Sequence, residues 1–304
     1  MNEKSGEMSS VLEKFNAFLS YGNTGTAKTY MPFLRDFLGF IEIPFDKVTS
    51  LDITCWFRHL EKEGMASSKT PLQRRTVRVG ASALKRFYKA VGHPEIASMI
   101  PFPMFEAIEE SKYLLEDVAF KVVGKIPVLC VAYDLALRIG EVHLLNAEMC
   151  DLKSHTIVVT REKHKGRHNK YQLTLDPWCA EILGDYLRQK QIRRGPIFPF
   201  SIPTINNIFR QRRGLIGPDG NDYTFHCLRH SRLTHIAIHD LESKGTVDLV
   251  SLAKFAGHSN VNTTLTYIHL ASKYIAFEKQ SKGFPKEYDE VSTDEWPRKF
   301  QNRS

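Results

Sequence analysis

The sequence has few features of secreted, membrane or metal-binding proteins. Its five cysteines are widely scattered and form no Cys-x-x-Cys pair, which predicts reduced thiols and argues against a disulfide framework or a zinc ribbon. The longest apolar run, "IPVLCVAYDLAL", contains Asp134 and is too short to span a bilayer. The polar start "MNEKSGEMSS" lacks the apolar core of a signal peptide. We therefore expect a cytoplasmic protein that does not enter a membrane.

Motifs for bound nucleotides and metals are also missing. The pattern G-x-x-x-x-G-K-[ST] does not occur, so nucleotide hydrolysis is not indicated. Histidines recur four residues apart at His226 and His230 and at His235 and His239, a spacing that could suggest zinc. Neither pair encloses the glutamate of an H-E-x-x-H motif, and no third ligand is evident. We expect neither a metal nor a nucleotide as cofactor.

Acidic residues are absent from two long stretches of this basic chain, which has a net charge of +8 and a pI of about 9.1. Residues 69–89 and 186–218 contain no Asp or Glu, and residues 161–170 contain a single acid. Such clusters either form solvated faces or contact the phosphates of a nucleic acid. We predict DNA phosphate contacts from eight basic residues: Arg74, Arg75, Arg78, Lys85, Lys165, Arg167, Arg212 and Arg213.

The hydrophobic pattern predicts a mainly helical protein with one small β-sheet, an α+β fold. "VLEKFNAFLSYG" and further segments before residue 100 place apolar residues at the spacing of one helix face, which predicts an all-α domain over residues 1–100. Prolines at 94, 101 and 103 indicate a linker over residues 101–110. Further on, "HTIVVT" and "YQLTLD" are β-rich runs joined by the basic stretch "REKHKGRHNK". We expect a second domain over residues 111–280 and a polar tail over residues 281–304.

One set of polar side chains suits the attack of a tyrosine hydroxyl on a phosphodiester. Tyrosine is a weak nucleophile at its free pKa of about 10, so a base or an acceptor must assist it. Two guanidiniums can clamp the non-bridging oxygens, and a lysine can protonate the leaving 5′-oxygen. Arginines then supply the electrostatic stabilisation that a metal would otherwise give. The set consists of Arg138, Glu141, His226, Arg229, His258, Tyr267, and either Lys163 or Lys165.

The order and spacing of these residues resemble the tyrosine recombinase (phage integrase) family. The chain has Arg138 in "ALRIGE", a lysine in a predicted hairpin, "HCLRH", and then "GHSNVNTTLTY", in which a tyrosine stands nine residues after a histidine. The resemblance covers about residues 110–275, which would form the catalytic domain. The helical residues before it are similar only in general pattern to the family's SAM-like core-binding domain.

The resemblance implies a role for each residue that meets the DNA phosphate. Tyr267 would be the nucleophile. Arg138 and Arg229 would hold the scissile phosphate, and His258 would form a hydrogen bond with it.

The resemblance also implies the residues that transfer protons. His226 would act in proton transfer to and from Tyr267, and Glu141 would orient its neighbours. In similar proteins the catalytic lysine follows the first strand closely, so we assign it to Lys163. We keep Lys165 as the alternative because this loop is longer than the common pattern. His230 follows Arg229 directly, and we expect it to support the helix and do not include it among the catalytic residues.

The function implied is site-specific recombination of double-stranded DNA through a 3′-phosphotyrosine and a Holliday junction. The family pattern implies two protomers on inverted half-sites and a tetramer in synapsis, and the two-domain organisation is most similar to Xer-type recombinases. Two alternatives are a type IB topoisomerase-like enzyme that relaxes supercoils as a monomer and a DNA-binding relative without catalysis. The sequence leaves open the target site, accessory proteins, the oligomeric state off DNA, and the choice among integration, excision and resolution.

Overall fold

The structure, a computed structural model, describes residues 2–22, 24–104, 112–163 and 167–281. It divides into two compact units: residues 1–108 with 162–168, and residues 109–161 with 169–304. The predicted linker over residues 101–110 lies partly outside the described residues, and the predicted tail over residues 281–304 lies outside them except for Ser281. The domain boundaries of the sequence analysis stay predictions.

The first unit is helical. Thr49 starts its third helix with a capping box, in which the Thr49 backbone N–H donates to Asp52 Oδ2 at 2.9 Å and the Asp52 N–H donates to Thr49 Oγ1 at 3.4 Å. Trp56 and Phe87 are completely buried in the core between the helices. The helices are α1 Asn2–Gly22, α2 Thr24–Phe40, α3 Ser50–Lys62, α4 Arg74–Ala90 and α5 Pro94–Met99.

The second unit combines eight helices with most of the sheet, within the described residues. Before the sheet come α6 Glu116–Val123, α7 Pro127–Asp134 and α8 Ile139–His143. After the sheet come α9 Pro177–Gln189, α10 Ile202–Gln211, α11 His226–Lys244, α12 Leu249–Ala256 and α13 Asn262–Ser281. The predicted fold class, mainly helical with a small antiparallel sheet, is confirmed.

The sheet has three strands in the order β1 Cys150–Asp151, β2 Thr156–Lys163 and β3 Arg167–Thr174. Strand β1 pairs antiparallel with β2, with Cys150 opposite Ile157. Strands β2 and β3 continue beyond the β-rich runs and include part of the predicted basic connection. The ladder between neighbouring strands satisfies backbone groups whatever the side chains are, so composition alone ended β2 too early and began β3 too late.

Two hydrophobic clusters fix the elements of the second unit. The larger cluster joins α6, α7, α9, α10 and the buried side of the sheet. The smaller cluster joins α11, α12 and α13, and it includes Leu233, Leu252, Tyr267 and Ala271. Tyr267 is therefore held as a core residue, with a hydroxyl that must find a polar partner. Among the described residues, no helix is long and apolar enough to cross a membrane.

Candidate active site

The first turn of α11 contributes one buried arginine and two histidines. His226 begins the helix, so Arg229 and His230 follow at the i+3 and i+4 positions of the same face. Arg229 is 1% exposed and donates from Nη1 to the carbonyl of Ala136 and from Nη2 to the carbonyl of Ala256, both at 2.6 Å. Burial and the nearby charge of Arg138 lower the pKa of Arg229 to about 10, so the guanidinium stays charged at neutral pH.

The start of α8 brings a carboxylate into contact with arginines. Arg138 is the N-cap residue, and its backbone N–H and Nη1 donate to the two oxygens of Glu141 at 2.8 and 2.9 Å. Glu141 Oε2 also lies 4.0 Å from Nη1 of Arg229. The Glu141 side chain is 8% exposed, whereas that of Arg138 is 43% exposed. Glu141 thus orients both guanidiniums, and Arg138 keeps exposed N–H groups that can meet an anion.

The turn between α12 and α13 holds His258. The N–H groups of Gly257 and His258 donate back to the carbonyls of Lys254 and Ala253, at 3.1 and 2.9 Å, which is the pattern of a Schellman motif. Gly257 has a φ of +67°, in the left-handed region that glycine adopts without strain. The Gly-His sequence therefore ends α12 and turns His258 towards Arg229.

His258 is fixed from both ring nitrogens. Its Nε2 lies 3.1 Å from Nη2 of Arg229, and its Nδ1 lies 2.9 Å from Oγ1 of the buried Thr264. Because arginine can only donate, Nε2 accepts and Nδ1 carries the proton that is donated to Thr264. Burial, with the charges of Arg229 and Arg138, lowers the pKa of His258 to about 4. The ring is therefore neutral at pH 7 in the DNA-free protein.

Tyr267 lies on the inner face of α13 and is 3% exposed. Its hydroxyl is 3.0 Å from Nδ1 of His230, and its ring stacks on His258 with centroids 5.9 Å apart and planes 7° apart. Burial raises the pKa of Tyr267, while the charges of Arg229 and Arg138 oppose that rise. Such a hydroxyl can lose its proton to the neutral imidazole while its oxygen attacks a phosphorus atom. The two guanidiniums can hold the phosphate during this attack.

The structure thus brings together five of the predicted residues, Arg138, Glu141, Arg229, His258 and Tyr267, with His226 in the same first turn of α11. The His226 side chain keeps access to solvent, while partial desolvation by its neighbours and the charge of Arg229 lower its pKa. The hydrogen bond of the Tyr267 hydroxyl goes to His230, which the sequence analysis had assigned to helix support. Its position four residues after His226, on the same helix face, was a signal that could have included it.

Comparisons with known proteins show which family has this arrangement of residues. The sequence model described as "Phage integrase family" matches residues 106–273, which is more than half of the chain.

The chain belongs to the phage integrase family.

It is a site-specific tyrosine recombinase, an enzyme that cleaves and rejoins DNA. Tyrosine recombinase XerA of Saccharolobus solfataricus is 27% identical over 272 residues, covering 84% of this chain and 88% of the relative. Tyrosine recombinase XerC of Caldanaerobacter subterraneus is 23% identical over 278 residues, covering 81% of this chain and 72% of the relative.

Two solved structures share the fold of this recombinase. One is the XerH site-specific recombinase bound to a palindromic difH substrate, with a TM-score of 0.64, 14% identity, and coverage of 89% of this chain and 83% of that one. The other is a lambda integrase dimer bound to a core site, with a TM-score of 0.63, 14% identity, and coverage of 93% and 99%.

The recombinase has a further buried arginine that the sequence analysis missed. Arg161 is 3% exposed, and its Nη1 and Nη2 donate to the carbonyls of Lys254 and Phe255 at 3.2 and 2.7 Å. Its Nε lies 3.6 Å from Oε1 of Glu141. Arg161 therefore ties the sheet to the end of α12 and to the carboxylate beside Arg138. Alternation along β2 was the available signal, because Ile157, Val159 and Arg161 occupy successive buried positions.

The two candidates for the catalytic lysine lie next to or within a segment outside the described residues. Lys163 is the last residue of β2 and Arg167 the first of β3, but their side chains lie outside the description. Lys165 lies wholly outside the described residues. The choice between Lys163 and Lys165 therefore stays a prediction.

The predicted DNA contacts divide into two groups. Arg74, Arg75, Arg78 and Lys85 all lie on α4, within the first unit. Arg212 donates to the carbonyls of Val122 and Lys121 at 3.0 and 2.7 Å and so caps α6, and its assignment as a phosphate contact stays a prediction. The last carbonyls of a helix lack partners within it, and this guanidinium satisfies two of them.

The neighbour of Arg212 is also partly withdrawn from the surface. Arg213 is half-buried, and its Nε has no hydrogen-bond partner among the described residues. Its assignment as a phosphate contact stays a prediction.

Proposed function

We propose that Tyr267 is the nucleophile of recombination on double-stranded DNA. The observation that carries this proposal is the position of its hydroxyl, which is 3.0 Å from a neutral imidazole nitrogen and beside the buried, charged Arg229. Attack on the scissile phosphorus leaves a 3′-phosphotyrosine and a free 5′-hydroxyl. The bond energy is retained in the phosphotyrosine, so a second strand can be joined without ATP.

Arg138 and Arg229 bind the scissile phosphate in this proposal. Arg229 donates hydrogen bonds to two backbone carbonyls, which fixes its orientation. The half-exposed Arg138 supplies further N–H donors. Both are charged groups oriented before the DNA arrives, so they stabilise the charge of the transition state without reorganisation. His258 contacts a phosphate oxygen once its Nε2 is released from Arg229. Two guanidiniums supply the charge stabilisation, and we propose that the reaction needs no metal and no nucleotide.

Lys163 protonates the leaving 5′-oxygen, with Lys165 as the alternative. A lysine suits this task because its ammonium group is a strong donor on a flexible stem. The position of Lys163, two residues after the anchored Arg161 in the same strand, supports the first choice.

The partner is double-stranded DNA with inverted half-sites, which two protomers bind in the cytoplasm. A tetramer forms in synapsis, and strand exchange proceeds through a Holliday junction. The lambda integrase neighbour is a dimer on a core site, and the XerH neighbour is bound to a palindromic substrate, which supports this stoichiometry. The Xer relatives support the simple two-domain type. Relaxation by a monomer and binding without catalysis are not favoured.

A plasmid with two directly repeated copies of the DNA that flanks the gene tests this function. The wild-type protein should convert it to two smaller circles, because strand exchange at paired sites deletes the intervening DNA. Tyr267→Phe should give no product while binding the same DNA. Relaxed circles of unchanged size would support the topoisomerase instead, and binding without either product would support the non-catalytic relative.

A further inference from the structure

We propose that His230 is a catalytic residue, the group that accepts the proton of the Tyr267 hydroxyl during strand cleavage. This inference rests on the proposed function, since it assumes that Tyr267 is the nucleophile. It assigns to His230 the task that the family resemblance gives to His226.

Geometry separates the two histidines. Nδ1 of His230 lies 3.0 Å from the Tyr267 hydroxyl, within the distance that direct proton transfer requires. His226 packs edge-on against the His230 ring, with centroids 4.6 Å apart and planes at 89°, and its side chain is exposed. His230 thus contacts both His226 and the tyrosine, and it is the histidine that is hydrogen-bonded to the reacting oxygen.

The surroundings of His230 keep it able to accept a proton. It faces His226 and Arg229 from its own helix, Tyr267 from α13 and His258 from the preceding turn. Burial, followed by the charges of these neighbours, lowers the pKa of His230 to about 4. The ring is therefore neutral at pH 7. With its proton on Nε2, it presents a lone pair on Nδ1 to the hydroxyl.

The step balances without a further reactant. The tyrosine oxygen forms a bond to phosphorus as the bond from phosphorus to the 5′-oxygen breaks. The hydroxyl proton moves to Nδ1 of His230, and the 5′-oxygen takes a proton from the lysine ammonium. The negative phosphate near His230 favours the imidazolium that forms, so the low pKa of the DNA-free protein rises when DNA is bound. Rejoining returns the same proton from His230 to the leaving tyrosine oxygen.

The experiment measures single-turnover formation of the covalent adduct on a nicked suicide substrate as a function of pH. The test variants are His230→Asn, whose amide can occupy the Nδ1 position without taking up a full proton, and His230→Gln. We expect the rate at pH 7 to fall by about 10²–10⁴-fold, the range for loss of a general base. The rate should then recover steeply with rising pH, because hydroxide removes the proton instead. The affinity for DNA should stay unchanged.

Controls separate this role from a structural one. His269→Asn alters an exposed histidine on the same helix as Tyr267 and should keep the wild-type rate and pH profile. Wild-type cleavage in both His230 variants, or alkaline recovery in His226→Asn but not in the His230 variants, would overturn the proposal. Faster cleavage in the His230 variants would overturn it as well and would make the contact a latch on the tyrosine. An adduct in Tyr267→Phe would instead refute the proposed nucleophile.

Discussion

Gly257 shows how a single residue can be fixed by both backbone and packing. Its φ of +67° already favours glycine. A Cβ at this position would also lie 2.7 Å from Cδ of Arg161 and closer still to its Nη1. The arginine cannot move away freely, because it is buried and donates to two carbonyls at the end of α12. Substitution here should therefore disturb the site as well as the backbone.

Gly257→Ala should lower the free energy of unfolding by more than Gly245→Ala does. Gly245 is the matched control, because it has a φ of +73° at the end of α11 but no atom within 4 Å of an added Cβ. Gly245→Ala should lower the free energy of unfolding by about 1 kcal/mol, because of backbone strain. Gly257→Ala should lower it by about 1–3 kcal/mol more, because of overpacking. Urea denaturation measures both. Equal losses would show that Arg161 does not constrain the turn.

The histidines predict a loss of stability in mild acid. Burial lowers the pKa of His230, His235 and His258 to about 4 each. Because these values lie below that of the unfolded chain, the unfolded state binds more protons between about pH 6.5 and 4. Stability should be retained above this window and should fall as the pH is lowered through it.

Urea midpoints at pH 7, 6 and 5 test this dependence, with His235→Gln as the comparison. His235 is 3% exposed and bonds the Tyr133 hydroxyl and the carbonyl of Leu114, so the variant should be less stable at pH 7. It should lose less stability than the wild-type protein on going to pH 5. The same loss in both proteins would contradict the role given to this histidine.

Motif spacing predicted most residues of the candidate site, including Glu141, but not Arg161 and not the hydrogen-bond partner of Tyr267. Arg138, Arg229, His258 and Tyr267 have a fixed order along the chain, and the structure brings them together. The contacts of Arg161 join it to residues more than 90 positions away, and only the alternation along β2 pointed to its burial. The partner of Tyr267 was missed because His226 and His230 share one helix face, and only the packing of α13 decides which of them the hydroxyl meets.

At the scale of elements, the end of α12 is held more firmly than helix ends usually are. Arg161 and Arg229 together satisfy the carbonyls of residues 254–256, and the Schellman bonds complete the turn. Helix α13 then packs along α11, and Tyr267 and Ala271 join the cluster between them. Tyr267 and Arg229, the proposed nucleophile and a proposed phosphate ligand, therefore belong to one packed set of helices.

Helix α4 is the element that we expect to bind the DNA backbone in the first unit. Lys85 Nζ lies 4.7 Å and Arg78 Cζ lies 5.2 Å from the ring centre of Phe102, so two of its cations are ordered by an aromatic residue. The opposite face of the helix buries Val77, Leu84 and Phe87. Such a helix can offer charge to DNA without disturbing its core.

Arg75→Gln should weaken binding to all DNA sequences alike. Loss of one phosphate contact should reduce the slope of log affinity against log salt concentration by about 0.9. Lys62→Gln, which alters an exposed cation at the end of α3, should leave the slope unchanged. Fluorescence anisotropy from 50 to 300 mM salt, with the gene's flanking DNA and a scrambled duplex, measures both. An unchanged slope in Arg75→Gln would place the contact elsewhere.

At the scale of the whole molecule, the sequence predicted a helical unit followed by a catalytic unit with a small sheet. Periodicity sufficed for the helices because each buries one face. It could not predict how far β2 and β3 extend, because their ends consist of charged residues. Nor could composition separate basic residues that contact DNA from those that cap helices, as Arg212 shows.

We predict that Tyr267 forms a covalent bond with DNA. The most direct measurement incubates the protein, in EDTA, with a nicked suicide substrate from the gene's flanking DNA and resolves the products on a denaturing gel. We predict a protein–DNA adduct with the wild-type protein and none with Tyr267→Phe, with peptide mapping of the adduct to Tyr267. An adduct that persists in Tyr267→Phe, or no adduct from wild-type protein on DNA that it binds, would contradict the account.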